Sequence, residues 1–276
     1  MQAQAQRSKA ETPKVVSEQE WLAARKDLLQ AEKEFTRQRD ALSARRRQLP
    51  CVKVEKEYVF DGPSGKASLS DLFRDKSQLI VYHFMLGPDW EQGCPSCSYL
   101  GDHFGGCLVH LDARDVAFAA VSRAPISQIE TFKNRMGWNF RWVSSNQNDF
   151  NYDYHVSFSK DELAKGKVNY NYTMQEFPSE EAPGLSVFFK NAAGEIFHTY
   201  STYGRGLDIL LGTYNFLDMT PKGRDEDGFA FSMAWVRHHD RYDGYQVDAS
   251  APYQPPRVVA ERPESAKNSC CHDQQS

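Results

Sequence analysis

Two cysteines separated by two residues, Cys94-Pro95-Ser96-Cys97, lie between an apolar stretch and a helical one. The apolar stretch, 79–86, is rich in β-branched and aromatic residues, which is typical of a buried strand. Pro95 suits the first position of a helix, because its missing N–H costs nothing there and its φ is already helical. A second apolar stretch, 116–121, follows the helix. This strand–helix–strand order predicts a parallel α/β sheet with the cysteines at the amino end of the helix.

The spacing of the two cysteines favours redox chemistry. Cysteines one helical turn apart lie close enough to form a small disulfide ring, and the free N–H groups and dipole of the helix end stabilise a thiolate. Cys94 is nearer the helix end and is predicted to be the more exposed, so it would attack a disulfide. Cys97 would then resolve the mixed disulfide, with Pro95 and Ser96 forming the turn between them. We predict a thiol–disulfide oxidoreductase whose substrate and reductant the sequence does not name.

A zinc site is the alternative use of the pair. It needs a second pair of ligands, and the candidates are His103, Cys107 and His110. We predict one helix running to about Leu111, which places these three on one face and far from the cysteine pair. One tetrahedron does not easily include both sets, so no metal is predicted. A non-catalytic protein that binds a metal or a partner is the alternative function.

A long helix is predicted ahead of the sheet. Ser17 and Glu20 have the spacing of a capping box, and nothing breaks the run before Pro50. Large apolar residues recur every seven residues along it: Trp21, Leu28, Phe35, Leu42 and Leu49. We expect this arm to pack on its own domain or on a second copy of the chain, which would make a homo-oligomer.

The other elements predict a single α/β domain. They are a strand over 52–60 with a turn at 61–65, a helix over 126–136, a strand over 140–143 and a hairpin of 185–189 with 196–200. We divide the chain into a disordered start (1–16), the arm (17–49), the domain (50–245) and a disordered tail (246–276). Cys270 and Cys271 in that tail could carry a disulfide to Cys94.

Composition and charge argue against several classes of protein. The 276 residues carry 33 Lys+Arg and 37 Asp+Glu, a net charge of −4, which argues against a nucleic-acid binder. The stretch 79–86 is far shorter than the roughly 20 residues that cross a bilayer, and the start lacks the apolar core of a secretory signal. We expect a cytoplasmic protein without nucleic-acid or membrane partners. No phosphate-binding loop or dinucleotide fingerprint appears, so no organic cofactor is expected.

Long motifs resemble a bacterial family called domain of unknown function 899, over about 21–242. They are YVFDGP (58–63), QLIVYHFM (78–85), GPDWEQGCPSC (87–97), DFNYD (149–153), FHTYSTY (197–203) and DMTPKGRDE (218–226). The resemblance implies a thioredoxin-like α/β fold, in a peroxiredoxin-like variant, with helices flanking a central sheet and a long amino-terminal helical arm. It also implies a predicted dithiol–disulfide oxidoreductase.

The resemblance to thioredoxins suggests two supporting residues. His83 stands where thioredoxins keep a buried Asp that moves a proton to the resolving thiol, and it would serve if it faces the cysteines. Strand alternation could equally bury it against the other face of the sheet. Pro183 stands near the place of the thioredoxin cis-proline, although Gly184 intervenes, and a cis bond before Pro183 is left open.

Two more residues are candidates from their position alone. Trp90, in the loop before Cys94, either covers the disulfide or plugs the loop. Arg123 follows the strand after the catalytic helix, at the carboxyl edge where such sheets bind ligands, and could hold an anionic substrate group.

A thiol peroxidase is a third candidate function. The segment 69–73 before the buried strand resembles peroxiredoxins. Those proteins place Thr or Ser three residues before the reactive cysteine, whereas Glu91 has that position relative to Cys94. No clear candidate for their peroxide-polarising Arg precedes Leu185. We therefore keep peroxidase chemistry as an alternative.

Overall fold

The computed structural model describes residues 13–244 and 246–254. Cys270 and Cys271, and most of the start and tail predicted as disordered, lie outside the described residues. In the part of the chain that the structure describes, no helix is long and apolar enough to cross a membrane.

The predicted arm is present as helix α1, Glu18–Arg47, with Ser17 as its N-cap. The predicted capping box forms, since the Glu20 backbone N–H donates to Ser17 Oγ at 3.3 Å and the Ser17 N–H donates to Glu20 Oε2 at 3.0 Å. No residue of α1 is buried. Near the end of the helix, the Arg46 guanidinium lies 5.7 Å from the centre of the Tyr200 ring. The arm therefore does not pack along the sheet of its own chain.

The strands and helices of the domain follow in chain order. The strands are β1 Val52–Lys53, β2 Val59–Gly62, β3 Gly65–Ser68, β4 Gln78–His83, β5 Val116–Ser122, β6 Arg141–Ser144, β7 Val168–Tyr170, β8 Thr173–Gln175, β9 Gly184–Lys190 and β10 Ile196–Tyr203. The helices are α2 Leu69–Leu72, α3 Pro95–Gly101, α4 Leu108–Asp112, α5 Ile126–Arg135, α6 Phe150–Asp153, α7 Lys160–Ala164 and α8 Gly212–Leu217, with a 3₁₀ helix at Gly204–Leu210.

The main sheet has the order β1-β10-β9-β4-β5-β6-β2-β3. Strands β4, β5 and β6 are parallel, β9 is antiparallel to β4, and β9 and β10 form the predicted hairpin. The hairpin of β2 and β3 extends the sheet beyond β6. The predicted thioredoxin-like α/β fold, in its peroxiredoxin-like variant with a helical arm, is confirmed.

Two predicted elements are divided in the structure. The predicted strand 52–60 forms β1 and β2, which pair at opposite edges of the sheet, β1 with β10 and β2 with β3 and β6. The predicted helix to Leu111 ends at Gly101 and begins again as α4, with the weak helix formers Gly105 and Gly106 between them. Cys107 is the N-cap of α4, so it does not share a helix face with His103.

Apolar clusters cover both faces of the main sheet, as the alternation of β4 requires. Leu79 and Val81 point into the cluster that includes Phe150, whereas Tyr82 points into the cluster that includes both cysteines. Several loops meet at the carboxyl ends of the parallel strands. Strand β4 leads into the cysteine loop there, β5 ends beside Arg123, and β9 begins just after Pro183.

Candidate active site

The cysteine pair lies at the amino end of helix α3, as predicted. Cys94 is the N-cap and Pro95 the first residue of the helix. Both cysteines are free thiols, and both are buried, with 2% of Cys94 and 1% of Cys97 exposed. The expectation of an exposed Cys94 is therefore wrong, because the loop before the helix folds over it.

The surroundings of the two thiols shift their pKa values in opposite directions. The pKa of Cys94 is lowered by hydrogen bonds from the Cys97 thiol and from the backbone N–H groups of Cys97 and Ser96, and the Ser96 hydroxyl adds to this. The pKa of Cys97 is raised well above its usual range by burial and by the neighbouring Cys94. Cys94 is therefore the more acidic thiol of the pair, and the Cys97 thiol donates to it.

The loop before Cys94 is held at both of its ends. The Cys94 backbone N–H donates to the Met85 carbonyl oxygen at 3.0 Å. His238 Nε2 donates to the Gly93 carbonyl oxygen at 2.8 Å. A Cβ atom at Gly93 would lie 2.6 Å from carbons of the Phe84 and Phe132 rings, so only glycine fits. This tight packing positions the thiol at the start of the helix.

Trp90 is buried in the same apolar cluster as both cysteines. Its indole N–H donates to Glu180 Oε1 at 3.2 Å. This hydrogen bond connects the cysteine loop to the segment before β9. Both suggested roles are compatible with this position, since the ring fills the loop and adds to the cover of the thiols.

Tyr82, which the sequence reasoning missed, takes the place considered for His83. Its hydroxyl hydrogen-bonds the Cys97 sulfur, and this contact lowers the pKa of Cys97 against the stronger effect of burial. The side chain of His83 points to the opposite face, where Nε2 lies 2.8 Å from Ser186 Oγ and the ring lies against Phe150. Burial lowers the pKa of His83 to about 3. His83 is thus a neutral core residue and does not meet the thiols.

The bond before Pro183 is trans, like the other described peptide bonds. The Pro183 carbonyl oxygen accepts a hydrogen bond from the Tyr170 hydroxyl at 2.7 Å. The Ala182 backbone N–H donates to the Val156 carbonyl oxygen at 2.9 Å. These contacts hold the segment before β9 without a cis proline.

Arg123 is already paired with a buried carboxylate. Its Nε lies 2.9 Å from Oε1 of Glu181, and its guanidinium also contacts the Tyr152 hydroxyl. The Ser157 hydroxyl donates to Glu181 Oε2 at 2.6 Å. Burial raises the pKa of Glu181 to about 7, against the opposing effects of Arg123 and Ser157. Arg123 is thus in contact with Glu181 and Tyr152, and its expected role of holding an anionic substrate group stays a prediction.

Residues 246–254, which the sequence assigns to the tail, pack against the domain. The Ala230 N–H donates to the Ala249 carbonyl oxygen at 2.9 Å, and the Tyr253 ring lies 5.6 Å from the Phe231 ring. The Tyr253 hydroxyl is buried. Its pKa is raised by burial and by the nearby Cys94 and Cys97. Tyr253 is thus part of the cover over the thiols, and the polar composition around it gave no signal of this.

Two of the three further residues considered as metal ligands, His103 and Cys107, have other partners. His103 lies between the Tyr99 carbonyl oxygen, 2.7 Å away, and the Thr213 hydroxyl, 3.0 Å away. The Cys107 thiol donates to the Phe104 carbonyl oxygen at 3.1 Å. Within 13–244 and 246–254, no group of three or more His, Cys, Asp or Glu side chains is placed to hold a metal ion.

Comparison with known proteins finds one family. A family model described as "Bacterial protein of unknown function (DUF899)" matches residues 10–242. No curated protein matches the sequence.

Three solved structures illustrate the similarity to peroxiredoxins. Peroxidoxin BcpB from Mycobacterium tuberculosis has 11% identity over 60% of this chain and 95% of its own, with a TM-score of 0.40. A PrxQ mutant from Xylella fastidiosa has 14% identity over 58% of this chain and 88% of its own, with a TM-score of 0.37. A peroxiredoxin Q mutant from Xanthomonas campestris has 14% identity over 57% and 90%, with a TM-score of 0.39.

Proposed function

The chain belongs to the bacterial DUF899 family, whose description names no activity, and we propose from the site itself that it is a thiol–disulfide oxidoreductase. Cys94 is the nucleophile and Cys97 the resolving thiol. The observation that carries the proposal is the opposite direction of the two pKa shifts within one helical turn. A pair of spectator thiols has no need of a stabilised thiolate beside a protonated partner.

The reaction proceeds by two exchanges at sulfur. The Cys94 thiolate attacks one sulfur of a substrate disulfide, the substrate S–S bond breaks, and one substrate thiolate leaves and takes a proton from water. Cys97 then loses its proton and attacks the Cys94 sulfur of the mixed disulfide. The second substrate thiolate leaves and is protonated, and a Cys94–Cys97 disulfide forms. Two electrons pass from the protein to the substrate, and the reverse sequence oxidises a dithiol.

The burial of both thiols favours a small substrate. Trp90 and Tyr253 belong to the cover around the cysteines. A disulfide on the surface of a folded protein would reach Cys94 only after this cover moves, whereas a small disulfide needs a narrower opening. The same burial favours a small hydroperoxide as the substrate of the second candidate function, a thiol peroxidase. Glu91, in the place of the peroxiredoxin Thr or Ser, is exposed, which argues against that function.

The proposal is tested by titrating the full chain with mixtures of reduced and oxidised glutathione, followed by alkylation and mass mapping. We expect a reversible disulfide between Cys94 and Cys97 and no pairing of Cys107. A Cys107→Ser variant, which removes an exposed thiol, serves as the control and should titrate like the unaltered chain. The proposal fails if Cys94 and Cys97 do not pair at any glutathione ratio.

Removing the Tyr82 hydroxyl is expected to slow the second exchange. Tyr82 donates to Cys97, and this bond is strongest when Cys97 carries the negative charge of the attacking thiolate. A hydrogen bond to a charged group is worth about 1.5–3 kcal/mol, so Tyr82→Phe should slow closure of the Cys94–Cys97 disulfide about tenfold or more. The pH at which closure becomes fast should also rise, because Cys97 becomes harder to deprotonate.

The measurement is the rate at which a mixed disulfide at Cys94 is resolved, followed by rapid quenching at several pH values. Tyr99→Phe is the matched control, since it removes a hydroxyl from the same apolar cluster, where Tyr99 is not among the groups that shift the pKa of Cys97. Equal slowing in both variants, without a shifted pH profile in Tyr82→Phe, would mean that Tyr82 acts only through packing.

A further inference from the structure

Among the described residues, helix α1 and the turn after it carry a row of large, exposed apolar side chains. We call it the arm stripe, and its members are Trp21, Leu28, Phe35, Leu42 and Leu49. Each is 45–66% exposed, although the spacing of seven residues puts the first four on one side of the helix, and Leu49 follows two residues after its end. Within the part of the chain that the structure describes, the stripe is exposed from the first turn of the arm to its end.

A helix whose apolar face is not packed against anything is unfavourable in water. At about 1.5 Å per residue the 30 residues of α1 extend about 45 Å, and most of a helix's stability in proteins comes from packing one face. Continuous exposed apolar surface marks an interaction site. The only described contact to the domain at a ring face is the one between Arg46 and Tyr200, at the carboxyl end of the arm. No residue of the arm is buried by the other described residues.

The arm has opposite charges at its two ends. Residues 18–34 carry five acidic and three basic side chains, a net charge of −2, whereas residues 35–47 carry one acidic and five basic side chains, a net charge of +4. Two arms in parallel would place like charges side by side along their whole length. Two antiparallel arms place each acidic half against a basic half, which is the favourable arrangement.

The stripe is also symmetric about its centre. Phe35 lies midway, seven residues from Leu28 and from Leu42, and fourteen from Trp21 and from Leu49. An antiparallel pair of identical helices therefore brings Phe35 of each copy together and places Leu28 near Leu42 of the second copy. This is the self-complementary patch that a two-fold symmetric dimer requires.

The position of the domain favours the same orientation. Packed helices lie about 8–10 Å apart, whereas a domain of this size has a radius of gyration of about 16 Å. The domain follows the carboxyl end of the arm, so parallel arms would crowd two domains at one end. Antiparallel arms keep them at opposite ends.

We propose that the partner of the arm is a second copy of this chain, bound through the arm stripe in antiparallel orientation. The first test is sedimentation velocity on the full chain at several concentrations. The unaltered chain should sediment as a dimer, and Phe35→Glu and Leu28→Glu should each raise the dimer dissociation constant at least tenfold. Gln30→Glu adds the same side chain about 200° around the helix from Leu28, so it should leave the dimer unchanged.

Cross-linking tests the orientation. Leu28→Cys and Leu42→Cys are made separately in a chain whose Cys51, Cys107, Cys270 and Cys271 are serine, and a bis-maleimide of about 10 Å is added. Mixing the two variants should give a cross-linked dimer, while each variant alone should give little. Efficient cross-linking of each variant to itself would overturn the antiparallel arrangement.

A monomer at all concentrations would overturn the proposal as a whole. The same variants are therefore added to vesicles with anionic lipids, because Arg45, Arg46 and Arg47 end the arm. A monomer that sediments with the vesicles, and loses this binding in Phe35→Glu, would assign the stripe to a membrane surface instead. Thiol exchange in the dimer-deficient variants is read in parallel and should be retained, because the apolar cluster around Cys94 includes no residue of the arm.

Discussion

Replacing Cys94 with serine is expected to lower the rate of exchange with a small disulfide by on the order of 10³-fold or more, because the chain loses the thiol whose pKa is lowered by its hydrogen bonds. Cys97 does not compensate, since burial holds its pKa well above the usual range. The measurement is the release of thiol from oxidised glutathione or 2-hydroxyethyl disulfide at neutral pH.

The Cys97→Ser variant should behave differently. Cys94 still attacks, but nothing resolves the product, so a mixed disulfide with the substrate should accumulate at one equivalent and appear as an added mass on Cys94. Cys51→Ser, which removes an exposed cysteine, is the matched control and should keep full activity. If the Cys94→Ser variant kept most of the activity, the nucleophile would have to be another thiol.

The second large effect concerns stability rather than exchange. The pKa of Glu181 is about 7 in the folded chain, against an ordinary value of 4.5, because the carboxyl group is buried. Between pH 4.5 and pH 7, the folded state therefore keeps a proton on Glu181 that the unfolded state has released. Stability from this group is fully present below pH 4.5 and is lost as the pH rises towards and through 7. The difference between the folded and unfolded pKa values of Glu181 corresponds to about 3 kcal/mol in the free energy of unfolding.

Glu181→Gln should remove this loss, because the amide does not titrate. The free energy of unfolding, measured by urea denaturation from pH 4 to pH 8, should fall in the unaltered chain relative to the variant by about 3 kcal/mol across that range. His83 titrates from a lowered pKa in both proteins, so it cancels in the difference. Glu176→Gln, which removes an exposed carboxyl group five residues earlier in the sequence, is the control. Its free energy of unfolding should differ from that of the unaltered chain by the same amount at every pH. If the difference for Glu181→Gln is also independent of pH, the ion pair with Arg123 keeps the Glu181 carboxylate ionised from pH 4 to pH 8.

The parts of the site that depend on neighbouring residues could be predicted from the sequence. Pro95 and the preceding strand determine where α3 begins, and this places Cys94 at its N-cap. The capping box of Ser17 and Glu20 likewise predicts the start of the arm. These features follow from local backbone rules, which a single sequence displays directly.

The burial of Cys94 depends on contacts that are distant in the sequence. The loop before it is held by His238, 145 residues away from Gly93, and by Glu180, 90 residues away from Trp90. Neither pairing leaves a pattern in the sequence. Strand alternation also limits which of the neighbours Tyr82 and His83 can face the cysteine helix, since only one of them can. His83 shares a face of β4 with Leu79 and Val81, which point into the opposite apolar cluster, so Tyr82 is the residue that faces the cysteines.

The cover that Tyr253 contributes has a consequence for biosynthesis. The ribosome makes the chain from its amino end, so β4, α3 and the cysteine pair emerge long before residue 253 does. Until that residue is released, the nascent domain lacks part of the layer over Cys94. Oxidants and thiol-modifying metabolites therefore reach Cys94 more easily during translation than in the finished fold, in which Tyr253 is part of the cover.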